Sequence, residues 1–159
     1  MMDSRVKQAV ETFESGYTCA QAVFVTYADL FGMDRQTALK LSSPMGGGVG
    51  RMREICGAVS SMALLAGLKE GNTDPENEDG KERIYVLVRQ MADRFKEQNH
   101  SIICRELLGL DEREESARPS QRTKEYYASR PCSRLVASAA RLIEEILLAE
   151  AEQENSGCP

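Results

Sequence analysis

The chain of 159 residues has no tryptophan and one histidine, His100, and only 6% of it is aromatic. A single imidazole excludes a histidine-rich metal centre and argues against ordinary histidine acid–base chemistry. No apolar run approaches the roughly 20 residues that span a bilayer. The N-terminal MMDSRVKQAV lacks the apolar stretch of a signal peptide. The expectation is a cytoplasmic protein without a membrane span. Positive charge is also scarce: 20 Lys and Arg face 25 Asp and Glu, a net charge of −5. Without a basic stripe, nucleic acid is not an expected partner. Cys-x-x-Cys pairs are absent, which removes the local signature of a zinc ribbon or a thioredoxin-type motif. What the sequence does have is five cysteines. They sit in a chain long enough to bury one core without disulfide staples.

Helical periodicity dominates. Val6, Ala9, Val10 and Phe13 share a face after an N-cap at Asp3 or Ser4, and Gly16 follows as a stop. Thr18-Cys19-Ala20-Gln21 is a capping box that opens a second helix ending near Gly32. Asp34 caps a short helix through about Ser42, closed by Pro44. A compact apolar helix is predicted from about Ile55 to Ala66, with Gly67 and Gly71 as stops. Ile84, Tyr85, Leu87, Val88, Met91, Ala92 and Phe95 trace one face of a helix over about 81–98. Ser101 is placed as the cap of a short helix ending at Gly109. Residues 111–129 read as a polar surface excursion with one helical turn. Pro131 starts a last helix that runs to about Ala151. No segment alternates with period two. The expectation is an all-α fold, a compact bundle of about six to seven helices in a single domain over 1–152, with a flexible tail over 153–159.

Four of the five cysteines share a position on these helices. Cys19 follows the Thr18 cap, Cys56 opens a helix behind a glycine loop, Cys104 lies three residues after Ser101, and Cys132 follows Pro131. Unpaired backbone N–H groups and the helix dipole stabilise a thiolate in a first turn. Thiolate is the nucleophile of thiol–disulfide exchange and a ligand for soft metals. Cys158, in the polar tail, has no helix start. The alternative is that the cysteines are packing residues, since buried cysteine is often an inert small hydrophobe.

Around the cysteines, Gly46, Gly47, Gly48 and Gly50 with Arg51 form a loop able to cradle an anion or cofactor. It lacks the Lys-Ser/Thr ending of a phosphate-binding P-loop, and no strand precedes it. A loop that shapes the cysteine pocket is preferred to a nucleotide site. Arg51 and Arg53 read first as exposed arginines of a solvated loop, the alternative being that they lower a neighbouring thiol's pKa or hold an anion, while the glycines keep Cys56 open. Cys56 is therefore expected to be the most reactive thiol. His100 reads as a surface residue at a helix end, the alternative being a thiol partner, four residues from Cys104, or a fourth metal ligand. Tyr126 and Tyr127 either cover the site or anchor their loop, and Glu144-Glu145 reads as a solvated face.

The ordered set Gly16-Tyr17-Thr18-Cys19-Ala20-Gln21-Ala22-Val23, Gly46–Gly50, Cys56-Gly57-Ala58, Cys104-Arg105-Glu106-Leu107-Leu108-Gly109 and Cys132 resembles the C_GCAxxG_C_C family, also called CGAxxG proteins. The resemblance covers about residues 8–150. It implies a mostly helical bacterial or archaeal protein with four characteristic cysteines and a suspected redox role, without an established reaction. Similar segments occur in some multihaem electron-transfer proteins, but this chain has no Cys-x-x-Cys-His haem attachment motif. The motif's final glycine is Ser61 here.

Two functional readings follow. In the first, Cys19, Cys56, Cys104 and Cys132 form a cluster for thiol–disulfide exchange or electron transfer with a redox partner that the sequence does not identify. In the second, the same four cysteines hold zinc or an iron–sulfur cluster. A third, non-catalytic reading is a helical interaction protein, and the amphipathic helices admit a homodimer.

Overall fold

The Thr18 hydroxyl accepts the Gln21 N–H at 3.1 Å, and the Gln21 side chain accepts the Thr18 N–H at 3.1 Å. This reciprocal cap starts α2, Cys19–Ala28, at the predicted residue. The computed structural model describes residues 2–110 and 116–149. Every α2 residue from Ala22 to Ala28 is buried. A helix that is apolar on all sides belongs in the centre of a fold. α2 accordingly packs against α1 (Val6–Glu14), α3 (Arg35–Ser42), α4 (Gly57–Glu70) and α8 (Cys132–Leu142). The order is completed by α5 (Glu78–Asn99), α6 (Cys104–Leu107) and α7 (Lys124–Ser129). Among the described residues there is no strand, so the fold is all-α, as predicted; it forms one domain. None of these helices is long and apolar enough to cross a membrane.

α4 crosses α2 closely. At the contact Ser61, fully buried, donates its hydroxyl to the Ala20 carbonyl at 2.6 Å. A serine therefore fits where the family motif has glycine, because its one polar group is satisfied.

Several boundaries differ from the sequence reading: α1 is capped at Arg5 rather than at Asp3 or Ser4, α5 begins at Glu78, and Pro131 is the N-cap of α8 rather than its first residue. α4 begins at Gly57, with Ile55 in an isolated antiparallel bridge to Ile103. It also runs through Gly67 to Glu70, since a single helical glycine weakens a helix without ending it. α6 is capped by Ile103, while the Ser101 hydroxyl accepts the Ile103 N–H at 2.9 Å. The bundle has eight helices among the described residues, two of them, α6 and α7, only four and six residues long.

Glu144 also departs from expectation. It lies in the π-helical continuation of α8, Ile143–Leu148, and is half-buried. Its carboxylate accepts the buried Tyr27 hydroxyl at 2.6 Å and the Arg5 N–H at 2.7 Å. Glu145 is the solvated member of the pair and faces Arg94 at 3.6 Å. Cys158, the tail over 153–159 and the end of the last predicted helix lie outside the described residues.

Candidate functional site

The four cysteines expected at helix starts are there. Cys19, Cys104 and Cys132 are the first residues of α2, α6 and α8, and Cys56 is the N-cap of α4. All four line one cavity of about 320 Å³. Two of these starts are tied together by backbone. Cys56 N–H donates to the Ile102 carbonyl at 2.8 Å, Cys104 N–H to the Glu54 carbonyl, and Arg105 N–H to the Arg53 carbonyl at 3.2 Å. Residues 53–56 thus run antiparallel to 102–105, with Cys56 opposite Ile102 and Cys104 opposite Glu54. The Arg105 and Glu54 side chains close the same pairing at 3.0 Å.

The glycine loop forms the adjoining wall. Gly47, Gly48, Val49, Gly50 and Arg51 are five consecutive residues with φ between 55° and 70°, and Arg53 repeats the conformation at 60°. Left-handed backbone costs an L-residue roughly 1–2 kcal/mol. Glycine takes it without that penalty, while Val49, Arg51 and Arg53 bear it. The turn is held by bonds from Arg51 N–H to Gly46, Arg53 N–H to Gly47 and Glu54 N–H to Gly48, at 3.2, 3.0 and 2.9 Å. Gly46, Gly47, Gly50 and Arg51 line the cavity. Gly48 instead sits under Cys104: a Cβ there would stand 2.6 Å from the Cys104 Cβ.

The sulfurs are not equivalent. The Cys56 thiol donates to the Cys19 sulfur, the largest influence holding Cys19 down, to about 7. Burial opposes this, and the N–H groups of Ala20, Gly57 and Ala58 reinforce it. The second helix start thus adds its amides to the first. The same hydrogen bond, with burial and the Cys19 charge, pushes the Cys56 thiol well up. Burial raises Cys104, against the Arg53 guanidinium. Burial and the Cys19 charge raise Cys132 to about 12, against Arg130.

The Cys56 sulfur is not open, although the sequence reading expects it to be. It is 5% exposed, whereas Cys19 is half-buried, because Cys56 is pinned by Ile102 beneath the start of α2. The two loop arginines also serve other groups. Arg53, 2% exposed, places Nη1 3.7 Å from the Cys104 sulfur. Arg51 donates to the Ser116 carbonyl and the Ser120 hydroxyl, both at 2.8 Å. His100, the exposed C-cap of α5, is not among the cavity residues.

The polar excursion supplies a further wall, in which Tyr126, read as covering the site or anchoring its loop, stands beside residues that the sequence did not assign. Tyr126 lines the cavity together with Pro119, Ser120, Arg122 and Arg130. Arg122 stacks on Phe13 and Tyr126 with its guanidinium 4.9 and 4.8 Å from the ring centres, and Arg130 lies 4.6 Å from that of Tyr126. Tyr127 packs edge-on against Phe13 and anchors α7.

Zinc or an iron–sulfur cluster requires several thiolates within bonding distance of one centre. Among the described residues, no three or more Cys, His, Asp or Glu side chains are grouped to hold a metal ion. In this arrangement the four cysteines do not fit such a centre. No disulfide joins them.

Comparison with the curated proteins and with the solved structures finds no match. A family model does match, over residues 17–146, with the description "Putative redox-active protein (C_GCAxxG_C_C)". That span contains the capping box, the left-handed glycine loop and all four cysteines of the cavity, and the chain belongs to the C_GCAxxG_C_C family.

Proposed function

We propose that the protein performs thiol–disulfide exchange, with Cys19 as nucleophile and Cys56 as resolving thiol. The observation that carries this reading is the close approach of the start of α4, which Cys56 caps, to the Cys19 sulfur: a Cβ on Gly57 would stand 2.8 Å from it, and the Cys56 thiol and the nearby N–H groups hold Cys19 down to about 7. A thiol with a pKa near ambient pH combines adequate thiolate population with retained nucleophilicity. Cys56, kept protonated beside it, is the group that must ionise second.

The reaction balances as two displacements. Cys19 thiolate attacks one sulfur of a disulfide RSSR, forming Cys19–S–S–R and releasing RS⁻, which takes up a proton. Cys56 then loses its proton and attacks the Cys19 sulfur. The Cys19–Cys56 bond forms and the second RS⁻ leaves to become RSH. Two electrons pass from the protein dithiol to the substrate, and two RSH molecules reverse the process. Cys104 and Cys132, both held protonated, stay as thiols throughout.

Separate variants test the two roles. In Cys56→Ser, exposure to 2-hydroxyethyl disulfide stops at a stable adduct on Cys19, read by intact mass. In Cys19→Ser no such adduct accumulates at neutral pH. An adduct on Cys104 or Cys132 in preference to Cys19 would refute the assignment.

A further inference from the structure

The side of α5 turned away from the bundle is not polar throughout. Leu87, Met91 and Phe95 are buried on one side, while Glu82, Tyr85, Val86 and Arg89 share the opposite side and are all exposed. Tyr85 is 65% and Val86 56% exposed, more than any other large apolar side chain among the described residues. Successive helical residues stand about 100° apart, so these two flank a stripe whose centre runs through Glu82 and Arg89.

Other charges on this helix are engaged within the chain. Lys81 pairs with Glu78 at 2.9 Å, and Arg94 faces Glu97 at 3.9 Å and Glu145 at 3.6 Å. Among the described residues, the side chains of Glu82 and Arg89 have no ion pair or hydrogen bond within the chain. Two turns separate them by about 10 Å along the helix, too far to bond each other.

An acid, two apolar residues and a base, in that order, complement the same order read backwards. Two copies of α5 can cross antiparallel about a two-fold axis that passes between Tyr85 and Val86. Glu82 of each copy then lies opposite Arg89 of the other. These two pairs flank a centre in which Tyr85 meets Tyr85 and Val86 meets Val86, the isologous contact of a two-fold dimer. An apolar centre containing tyrosine inside a charged rim is the usual anatomy of such an interface. One turn farther out, Glu78 would approach Asp93 of the second copy. Glu78 is already offset by Lys81, and crossed helices diverge at that distance.

We infer that the protein forms a weak two-fold dimer in which α5 of one copy packs antiparallel on α5 of a second. None of Glu82, Tyr85, Val86 and Arg89 lines the cysteine cavity, so both cavities stay clear. The dimer stands independently of the thiol-exchange reading.

The test is sedimentation velocity of the whole protein at low ionic strength, kept reduced so that no intermolecular disulfide contributes. The contact is small, so the expected dissociation constant is on the order of 100 μM, and the series runs from about 5 μM to about 1 mM. Glu82→Arg alone and Arg89→Glu alone each set like charges across the axis and weaken association about tenfold or more. Mixed in equal amounts, the two variants bind each other as tightly as the unaltered chain binds itself, because every pair across the axis then joins opposite charges. The double variant Glu82→Arg/Arg89→Glu self-associates again, and Val86→Asp abolishes association. All of these positions are exposed, so thermal unfolding of the dilute variants is unchanged. A monomer at every concentration would overturn the inference. So would a dimer that tolerates Val86→Asp or either charge reversal alone, or single variants whose mixture stays monomeric.

Discussion

A side chain on Gly57 would place its Cβ 2.8 Å from the Cys19 sulfur, closer than any such contact allows. The same atom would meet the Ala20 Cβ and the Met45 carbonyl oxygen, both at 2.9 Å. The glycine after Cys56 is thus what lets the start of α4 close on the start of α2. Its N–H then lies near enough to bond the Cys19 sulfur.

Gly57→Ala follows directly. None of its three neighbours is the flexible end of a long side chain, so the two helices must part. The expected cost is about 1–3 kcal/mol in urea unfolding. Parting also weakens the amide and thiol donors to Cys19, so its titration moves up toward the ordinary thiol range. Unchanged stability together with an unchanged titration would contradict the close approach.

The pH dependence of alkylation isolates Cys19. Its thiolate is the reactive form, so the rate is low below its pKa and reaches a plateau above it. With Cys19 held at about 7, one equivalent of thiol reacts with iodoacetamide with a midpoint near that pH. Cys132, raised to about 12, contributes only in strong alkali. Removing the donor in Cys56→Ala shifts the fast midpoint upward. A midpoint that stays put in that variant would mean the Cys56 hydrogen bond does not govern Cys19.

Gly48→Ala tests the loop against Cys104. The added carbon would lie 2.6 Å from the Cys104 Cβ and 2.7 Å from the Glu54 nitrogen, at a φ of 70°. Steric overlap and the left-handed conformation add, giving an expected loss of roughly 2–5 kcal/mol by denaturant or thermal unfolding. A loss within a few tenths of a kcal/mol would refute the packing.

Ser61→Ala removes the hydroxyl bonded to the Ala20 carbonyl at 2.6 Å. That carbonyl keeps its place in the helix ladder of α2, so the expected cost is about 1 kcal/mol. The substitution leaves no buried donor without a partner. A loss several times larger, read from the same unfolding curves, would show that Ser61 fixes the α2–α4 crossing rather than merely fitting it.

The helical framework and the cysteine placement were legible because both are local. Thr18 and Gln21 announce α2 through spacing alone, and the 3.6-residue pattern marks α5. The cavity depends on contacts that spacing does not encode. Arg122 and Arg130 lie in a polar stretch with no periodicity, and only the fold brings them into the cavity with Cys19. The bridge between Ile55 and Ile103 joins residues far apart in sequence and is too short to alternate visibly. Glycines at 46, 47, 48 and 50 signalled a loop, but left-handed Val49, Arg51 and Arg53 go against residue preference. The burial of Cys56 is not legible for a related reason: a glycine-rich neighbour indicates freedom of backbone, not where the sulfur ends up. Charge alone marks Glu144 as solvated, whereas its Tyr27 and Arg5 partners come from elements distant in sequence.

Mapping the bond formed on mild oxidation tests the central claim most directly. Reduced protein is treated with 2-hydroxyethyl disulfide, remaining thiols are alkylated, and the digest is analysed by mass spectrometry without reduction. The predicted result is one linked peptide pair joining Cys19 to Cys56, with Cys104 and Cys132 alkylated. A linked pair that excludes Cys19, or recovery of both Cys19 and Cys56 as alkylated thiols after full exposure, would contradict it.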